Sequence, residues 1–205
     1  MRTLPISSVP QAVRTSLSLS RMTAICGEQA WMLGLQVASQ MACEDQRVLY
    51  LCGDNRFNPY IVAKLAKVQQ KNQEEALERI LVARAFTAFQ LDELIHRLNP
   101  EQTSGVAIIS GICTAFFDED VVDNDAARLF YRSLWRLTEL SRAGLILLLT
   151  QSEMPRRTGR SYFLTDLCRA SNVVMRLKGE HTFTLEDHHH QIATPGAILN
   201  AEEDR

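Results

Sequence analysis

Five runs of nearly unbroken apolar residues recur along the chain: Met22 to Cys26, "RVLYLC" (47–52), "RILVARAF" (79–86), "VAIIS" (106–110) and "GLILLLTQ" (144–151). Each has the length of a buried strand, and between them the apolar residues change to helical spacing. Trp31 to Met41 repeats Trp31, Leu35 and Ala38, and the stretch from Pro59 continues through Val62, Leu65, Ala66 and Val68. Thr87 to Leu98 and Asp125 to Ser141 read as two further helices, the second presenting Leu129, Leu134, Leu137 and Leu140 inward. Strands that are apolar on both faces and alternate with helices predict an α/β domain with a mostly parallel sheet flanked by helices. Past a basic loop and a short helix, "NVVMRLK" (172–178) and "HTFTLED" (181–187) read as an antiparallel hairpin around Gly179-Glu180. A further strand is expected at Gln191 to Thr194. Residues 1–21 read as an N-terminal arm with a short helix, 22–195 as the core domain and 196–205 as a C-terminal tail.

Composition narrows the picture. The 205 residues are 46% hydrophobic and 22% charged, with a net charge of −2, so no global basic field draws the chain to nucleic acid or anionic membrane. Any nucleic-acid surface must be a local patch. The five cysteines (Cys26, Cys43, Cys52, Cys113 and Cys168) are odd in number and show no CxxC spacing. That pattern speaks against a zinc ribbon or disulfide framework and for a reducing compartment. With no apolar run approaching 18 residues, an intracellular soluble protein is expected, cytoplasmic or, in a eukaryote, nuclear.

Four segments in fixed order carry a family resemblance. "VLYLCGDNRFNPYIVAKLA" (48–66), "ILVARAFTAFQLDEL" (80–94), "VAIISGICTAFFDED" (106–120) and "LTELSRAGLILLLTQ" (137–151) are similar to successive strand–helix units of the RecA/RadA recombinase core. The similarity spans roughly residues 20–195, is closest to the archaeal and eukaryotic branch, and implies a RecA-like fold of the P-loop NTPase type. It also shows what is missing. In that family a glycine-rich loop closed by Gly-Lys-Ser/Thr wraps the phosphates with backbone N–H groups at a helix N-terminus. At the matching place this sequence has Gly27-Glu28 followed by Gln29-Ala30-Trp31, with no lysine and a loop shortened by several residues. The magnesium-holding aspartate falls at Ser110 or Gly111. Asp54 stands where the water-activating glutamate is expected, and Gln151 matches the nucleotide-sensing glutamine. Asp54 reads first as the turn residue of Gly53-Asp54-Asn55, and otherwise as a relic carboxylate acting on a water. The resemblance therefore implies a degenerate ATPase: not an enzyme, and with no cofactor or metal.

Other residues are candidates for binding. "PRRTGRSYF" (155–163) occupies the family's second DNA-binding loop, with Arg156, Arg157 and Arg160 for phosphates and Tyr162 or Phe163 for stacking on an unpaired base. The alternative is an ordinary solvated loop. The first DNA-binding loop would fall at "FDEDVVDNDA" (117–126), whose five acidic residues oppose phosphate and suit a basic partner instead. Arg128, Arg132 and Arg136 recur every four residues and line one helix face, solvated by default and a DNA or partner contact otherwise. His188, His189 and His190 are adjacent and cannot converge on one metal from a strand. The resemblance, with its vacant nucleotide site, implies a non-catalytic, recombinase-paralogue-like accessory protein in DNA repair and homologous recombination. It would act as a homo- or hetero-oligomer with a RecA-fold protein, using a face near Trp31, Phe57 and Tyr60, and would take single-stranded DNA as a candidate ligand; no membrane is involved. The alternatives are a RecA-fold regulatory or scaffold protein with no nucleic-acid role, or an enzyme with an unorthodox nucleotide site.

Overall fold

A computed structural model describes residues 2–5, 21–100, 105–152, 159–178 and 182–187. Among these residues eight strands form one sheet: β1 (Arg2–Pro5), β2 (Met22–Cys26), β3 (Val48–Cys52), β4 (Ile80–Arg84), β5 (Val106–Ser110), β6 (Ile146–Gln151), β7 (Val173–Lys178) and β8 (Thr182–Asp187), in the order β1-β8-β7-β2-β6-β5-β3-β4. The six strands from β2 to β7 all run parallel. β8 pairs antiparallel with β7, and β1 antiparallel with β8. The residues joining β7 to β8 (179–181), the expected strand at 191–194, the histidines at 188–190 and the tail from 196 lie outside the described residues, as does the short helix expected before residue 21.

The parallel strands are apolar throughout because each is covered on both faces. In β5, Ala107 and Ile109 enter one core cluster while Ile108 enters the other; in β6, Leu147 and Leu149 part from Leu148 in the same way. The first cluster packs α4 (Ala88–His96), α5 (Asp123–Arg142) and α6 (Tyr162–Ala170) on one side of the sheet. The second packs α1 (Ala30–Cys43), α2 (Pro59–Val68) and α3 (Gln73–Glu78) on the other. Leu129, Leu134, Leu137 and Leu140 of α5 are all buried, as the helical spacing predicts. Each such leucine contributes about 1.5–3 kcal/mol of transfer free energy.

Local signals set the helix starts. Asn58 accepts from the Tyr60 amide at 3.0 Å with Pro59 just inside the helix, and Asn72 and Thr87 cap α3 and α4 in the same manner. α3 was not anticipated: of its six residues only Ala76 is buried, so it shows no periodic stripe. β1 was not anticipated either, since four residues ending in proline gain strand form only by pairing with β8. β6 begins at Ile146 because Gly144, at φ +104°, turns the chain out of α5.

The register brings the carboxyl ends of the strands into one row. Cys26 stands beside Gln151 on one side and Arg176 on the other; Ser110 stands beside Thr150 and Cys52, and Cys52 beside Arg84. In open parallel sheets this is the edge outside which ligands bind.

Candidate functional site

β2 ends at Cys26 and α1 starts at Ala30, so three residues make the whole connection. Gly27 adopts φ +133°, donates its N–H to the Gln151 carbonyl at 2.9 Å, and accepts from the Ala30 N–H at 2.9 Å. A Cβ at Gly27 would lie 2.7 Å from Leu177 Cβ, so only glycine fits against β7. Two of the amides that a phosphate loop would aim at its ligand are thus turned to carbonyls of the chain. The Glu28 carbonyl accepts from Ser152 Oγ at 3.3 Å, and the Arg56 guanidinium reaches Ser152 Oγ at 3.5 Å. Arg56 also lies over the Trp31 ring, 5.7 Å from its centroid, at the head of α1.

Behind this turn a polar chain crosses the row of strand ends. Thr150 Oγ1 donates to Ser110 Oγ at 3.2 Å, and Ser110 Oγ donates to Asp54 Oδ2 at 2.8 Å. Asp54 Oδ1 accepts from the Arg56 N–H at 3.2 Å and from the Cys52 thiol at 3.4 Å. The bond to an amide two residues on is the Asx-turn expected of Gly-Asp-Asn. Gln151 is buried and fully engaged: Oε1 accepts from the Cys113 N–H at 2.8 Å, while Nε2 donates to Thr114 Oγ1 and to the Ser152 carbonyl, both at 3.2 Å. Burial pushes the Tyr50 phenol and the Cys52 thiol up, so both are neutral around this network at physiological pH.

The basic residues are dispersed by the fold. Arg156 and Arg157 lie outside the described residues. Arg160, expected on DNA, is only 11% exposed in its side chain and clasps the acidic segment instead. Its guanidinium donates to the carbonyls of Phe116, Asp118 and Val121 and to the Asp123 carboxylate, with the Phe116 bond at 2.8 Å. The two loops that sequence reading set in opposition are therefore tied by one side chain. Phe163, expected to stack on a base, is fully buried and stacks on Phe130 with centroids 4.4 Å apart. Tyr162 remains partly exposed, edge-on to Phe163.

The arginine row of α5 also divides. Arg128 is largely exposed and pairs with Asp125 at 3.1 Å. Arg132 turns to Asp92 on α4, a carboxylate with 0% exposure, donating through Nε at 3.1 Å and through Nη2. Arg136 donates to the Leu98 carbonyl at 3.0 Å. A common phosphate-binding face from Arg128, Arg132 and Arg136 is corrected accordingly: two of the three hold α5 against the end of α4. Sequence reading missed Asp92, although its place on the apolar stripe Ala88, Leu91, Asp92, Ile95 marks it as inward-facing. Of the three aromatics expected on a partner face, Trp31 and Phe57 pack against the core, Phe57 edge-on to Tyr50 at 5.0 Å, while Tyr60 is 84% exposed.

Six parallel strands flanked by helices, with a strand–turn–helix at β2–α1, define a RecA-like α/β domain of the P-loop NTPase type. A model of the Rad51 family matches residues 21–124, a little over half of the 205 residues, and the chain belongs to that family of recombination- and repair-related RecA-type proteins. No match is found among curated proteins. Among the described residues no helix is long and apolar enough to cross a membrane, and no group of three or more His, Cys, Asp or Glu is arranged to hold a metal.

Proposed function

We propose that the chain is a non-catalytic member of the Rad51 family, an accessory subunit in recombination and repair that works through protein contacts and single-stranded DNA. The observation that carries this reading is the three-residue connection from β2 to α1, with its Gly27 and Ala30 amides bonded within the chain. Phosphate binding at such a turn depends on free, convergent N–H groups and a lysine. Between Met22 and Gln46 the sequence holds no lysine or arginine, and Ser110 offers a hydroxyl where magnesium needs a carboxylate. Calorimetric titration of the full chain with MgATP is expected to give no binding heat up to millimolar nucleotide. Micromolar affinity, or ATP turnover abolished by Asp54→Asn, would overturn the reading.

The partner is a second RecA-fold chain, met on the surface around the exposed Tyr60. Single-stranded DNA contact rests on Arg156, Arg157 and Tyr162, since Arg160 and Phe163 are committed to the fold. Two phosphate contacts give a salt slope of about −1.4 on single strands. One stacked base adds roughly 1–3 kcal/mol. Affinity is expected to be no better than about micromolar at physiological salt. In a fluorescence-anisotropy titration, Arg156→Ala/Arg157→Ala should remove most of the salt dependence. A second reading, a RecA-fold scaffold with no nucleic-acid role, is favoured by the commitment of Arg160 to the acidic segment and by the net charge of −2. Absence of any DNA binding by the wild type decides for the scaffold.

A further inference from the structure

Two thiols meet on the side of the sheet covered by α6. Cys26 pairs in register with Arg176, and Ala24 with Val174, so all four side chains share one face of β2 and β7. Cys168, in the last turn of α6, comes down onto that face, and its Sγ lies 3.7 Å from Cys26 Sγ. Ala24, Val174 and Leu164 close a small apolar pocket around the pair, leaving Cys26 5% and Cys168 4% exposed. Arg176 borders the pocket, bonds Glu186 Oε1 at 3.3 Å, and keeps its own side chain partly in water. The hydrogen bond between the two sulfurs, with the Arg176 guanidinium beside it, holds the Cys168 thiol below its ordinary value against the opposing effect of burial. The same hydrogen bond and burial push Cys26 up. The two sulfurs thus stand within reach of each other in unlike surroundings, with the Arg176 guanidinium favouring the ionised form of Cys168.

We propose that Cys26 and Cys168 are a peroxide-reactive dithiol, a modification site whose oxidant is hydrogen peroxide or a small alkyl hydroperoxide. The Cys168 thiolate attacks the peroxide oxygen, breaking the O–O bond. The sulfur is oxidised by two electrons to a sulfenic acid, and the leaving hydroxide or alkoxide takes up a proton as water or alcohol. The Cys26 sulfur then attacks the sulfenic sulfur, forming the S–S bond and releasing the sulfenic oxygen as water with the Cys26 proton. Two thiols and one hydroperoxide give one disulfide, one water and one further water or alcohol. The sulfur atoms must approach by less than about 2 Å, within reach of side-chain torsion. Cys113 is the nearby competitor, but it is fully buried and its thiol is pushed up by burial. Cys43 and Cys52 belong to the core on the opposite face of the sheet and serve as internal controls. The bond ties the strand leading into the Gly27 turn to α6, the helix that follows the basic segment.

The test uses the full chain, reduced, freed of reductant and treated while folded with hydrogen peroxide. Intact mass should fall by two hydrogens, and peptide mapping should return a Cys26–Cys168 cross-link that dithiothreitol reverses. Because the cross-link closes a span of 142 residues, the oxidised form should melt higher by roughly 5–10 °C. In Cys26→Ser the reaction should stop at a sulfenic acid on Cys168, trapped by dimedone; in Cys168→Ser no label should appear on Cys26. Arg176→Gln should slow oxidation several-fold with the circular-dichroism spectrum unchanged. The wild-type result stands whether or not any variant folds. A mass unchanged in the folded protein, a cross-link that forms only in urea, or a cross-link running to Cys113 each overturns the proposal.

Discussion

Replacing Arg132 by alanine is expected to lower the free energy of unfolding by about 3–5 kcal/mol, as breaking a buried ion pair on one side does. Asp92 is fully buried on α4 and accepts from Arg132 Nε and Nη2 and from Ser133 Oγ, the last at 2.9 Å. His96 Nδ1 lies 3.4 Å from the same carboxylate. Without Arg132 the carboxylate keeps one hydroxyl but loses its forked donor, since His96 Nδ1 is bonded to the Asp92 backbone carbonyl at 2.9 Å, and it stays inside the α4–α5 seam. The half-exposed Arg132 side chain lets some water follow the truncation, which places the effect toward the lower end of the range. Arg132→Lys keeps the charge without the fork and should fall between alanine and wild type. Replacing both partners, as Asp92→Leu/Arg132→Leu, should recover most of the loss, because no charge is then stranded. An arginine kept for DNA phosphate would behave differently: its loss would change stability by less than about 0.5 kcal/mol. Urea denaturation of the four proteins separates the two roles, and near-wild-type stability of Arg132→Ala would return that residue to the DNA candidates.

The parts of the fold that could be read from sequence are those whose physics is local. β3, β5 and β6 announce themselves because a strand buried on both faces must be apolar at successive positions, and α5 does so because its leucines keep helical spacing from Leu129 to Leu140. β1 could not be read: its four residues are a strand only because β8 offers an unpaired edge beside them. In the site, missing chemistry was legible and substituted contacts were not. The absence of a lysine after Gly27 is visible in the sequence. That Ser110 bonds Asp54, 56 residues away, is visible only once the carboxyl ends of β3 and β5 stand side by side. Arg160 looked like a cation for phosphate because its four acceptors, three of them backbone carbonyls, lie 37 to 44 residues earlier in the chain. Phe163 was the recoverable error. It falls on the inward stripe with Leu167, so helical periodicity argued for burial even while the neighbouring arginines argued for a ligand.

Gly111→Ala should cost about 2–6 kcal/mol, for two reasons that add. Gly111 sits at φ +68°, where a side chain brings on the order of 1–3 kcal/mol of strain. Its Cβ would also stand 2.4 Å from Asp54 Cβ and 2.8 Å from the Asp54 backbone nitrogen, an overlap costing typically another 1–3 kcal/mol. The neighbourhood has little room to yield. The Gly111 N–H is bonded to the Thr150 carbonyl at 2.8 Å, its carbonyl accepts from Thr114 at 2.9 Å, and the Ser110 carbonyl accepts from Gly53 at 2.8 Å. Trimming the obstacle with Asp54→Gly clears the side-chain overlap but leaves the backbone nitrogen and the φ strain, so the double variant should recover only part of the loss. The same geometry bears on the magnesium acid that the family resemblance places at Ser110 or Gly111. An aspartate at Gly111 meets the same wall. An aspartate at Ser110 sets a second carboxylate where a hydroxyl now donates to Asp54 at 2.8 Å, turning a hydrogen bond into like-charge repulsion. On the proposed reading, loss of the nucleotide site is thus consolidated by packing as well as by missing residues. Restoring one acid should destabilise the domain without conferring MgATP binding. Denaturant midpoints of Gly111→Ala and Ser110→Asp, with calorimetry on the second, check both halves. Wild-type stability of Gly111→Ala, or nucleotide binding by Ser110→Asp, would mean that the end of β5 is more accommodating than this packing allows.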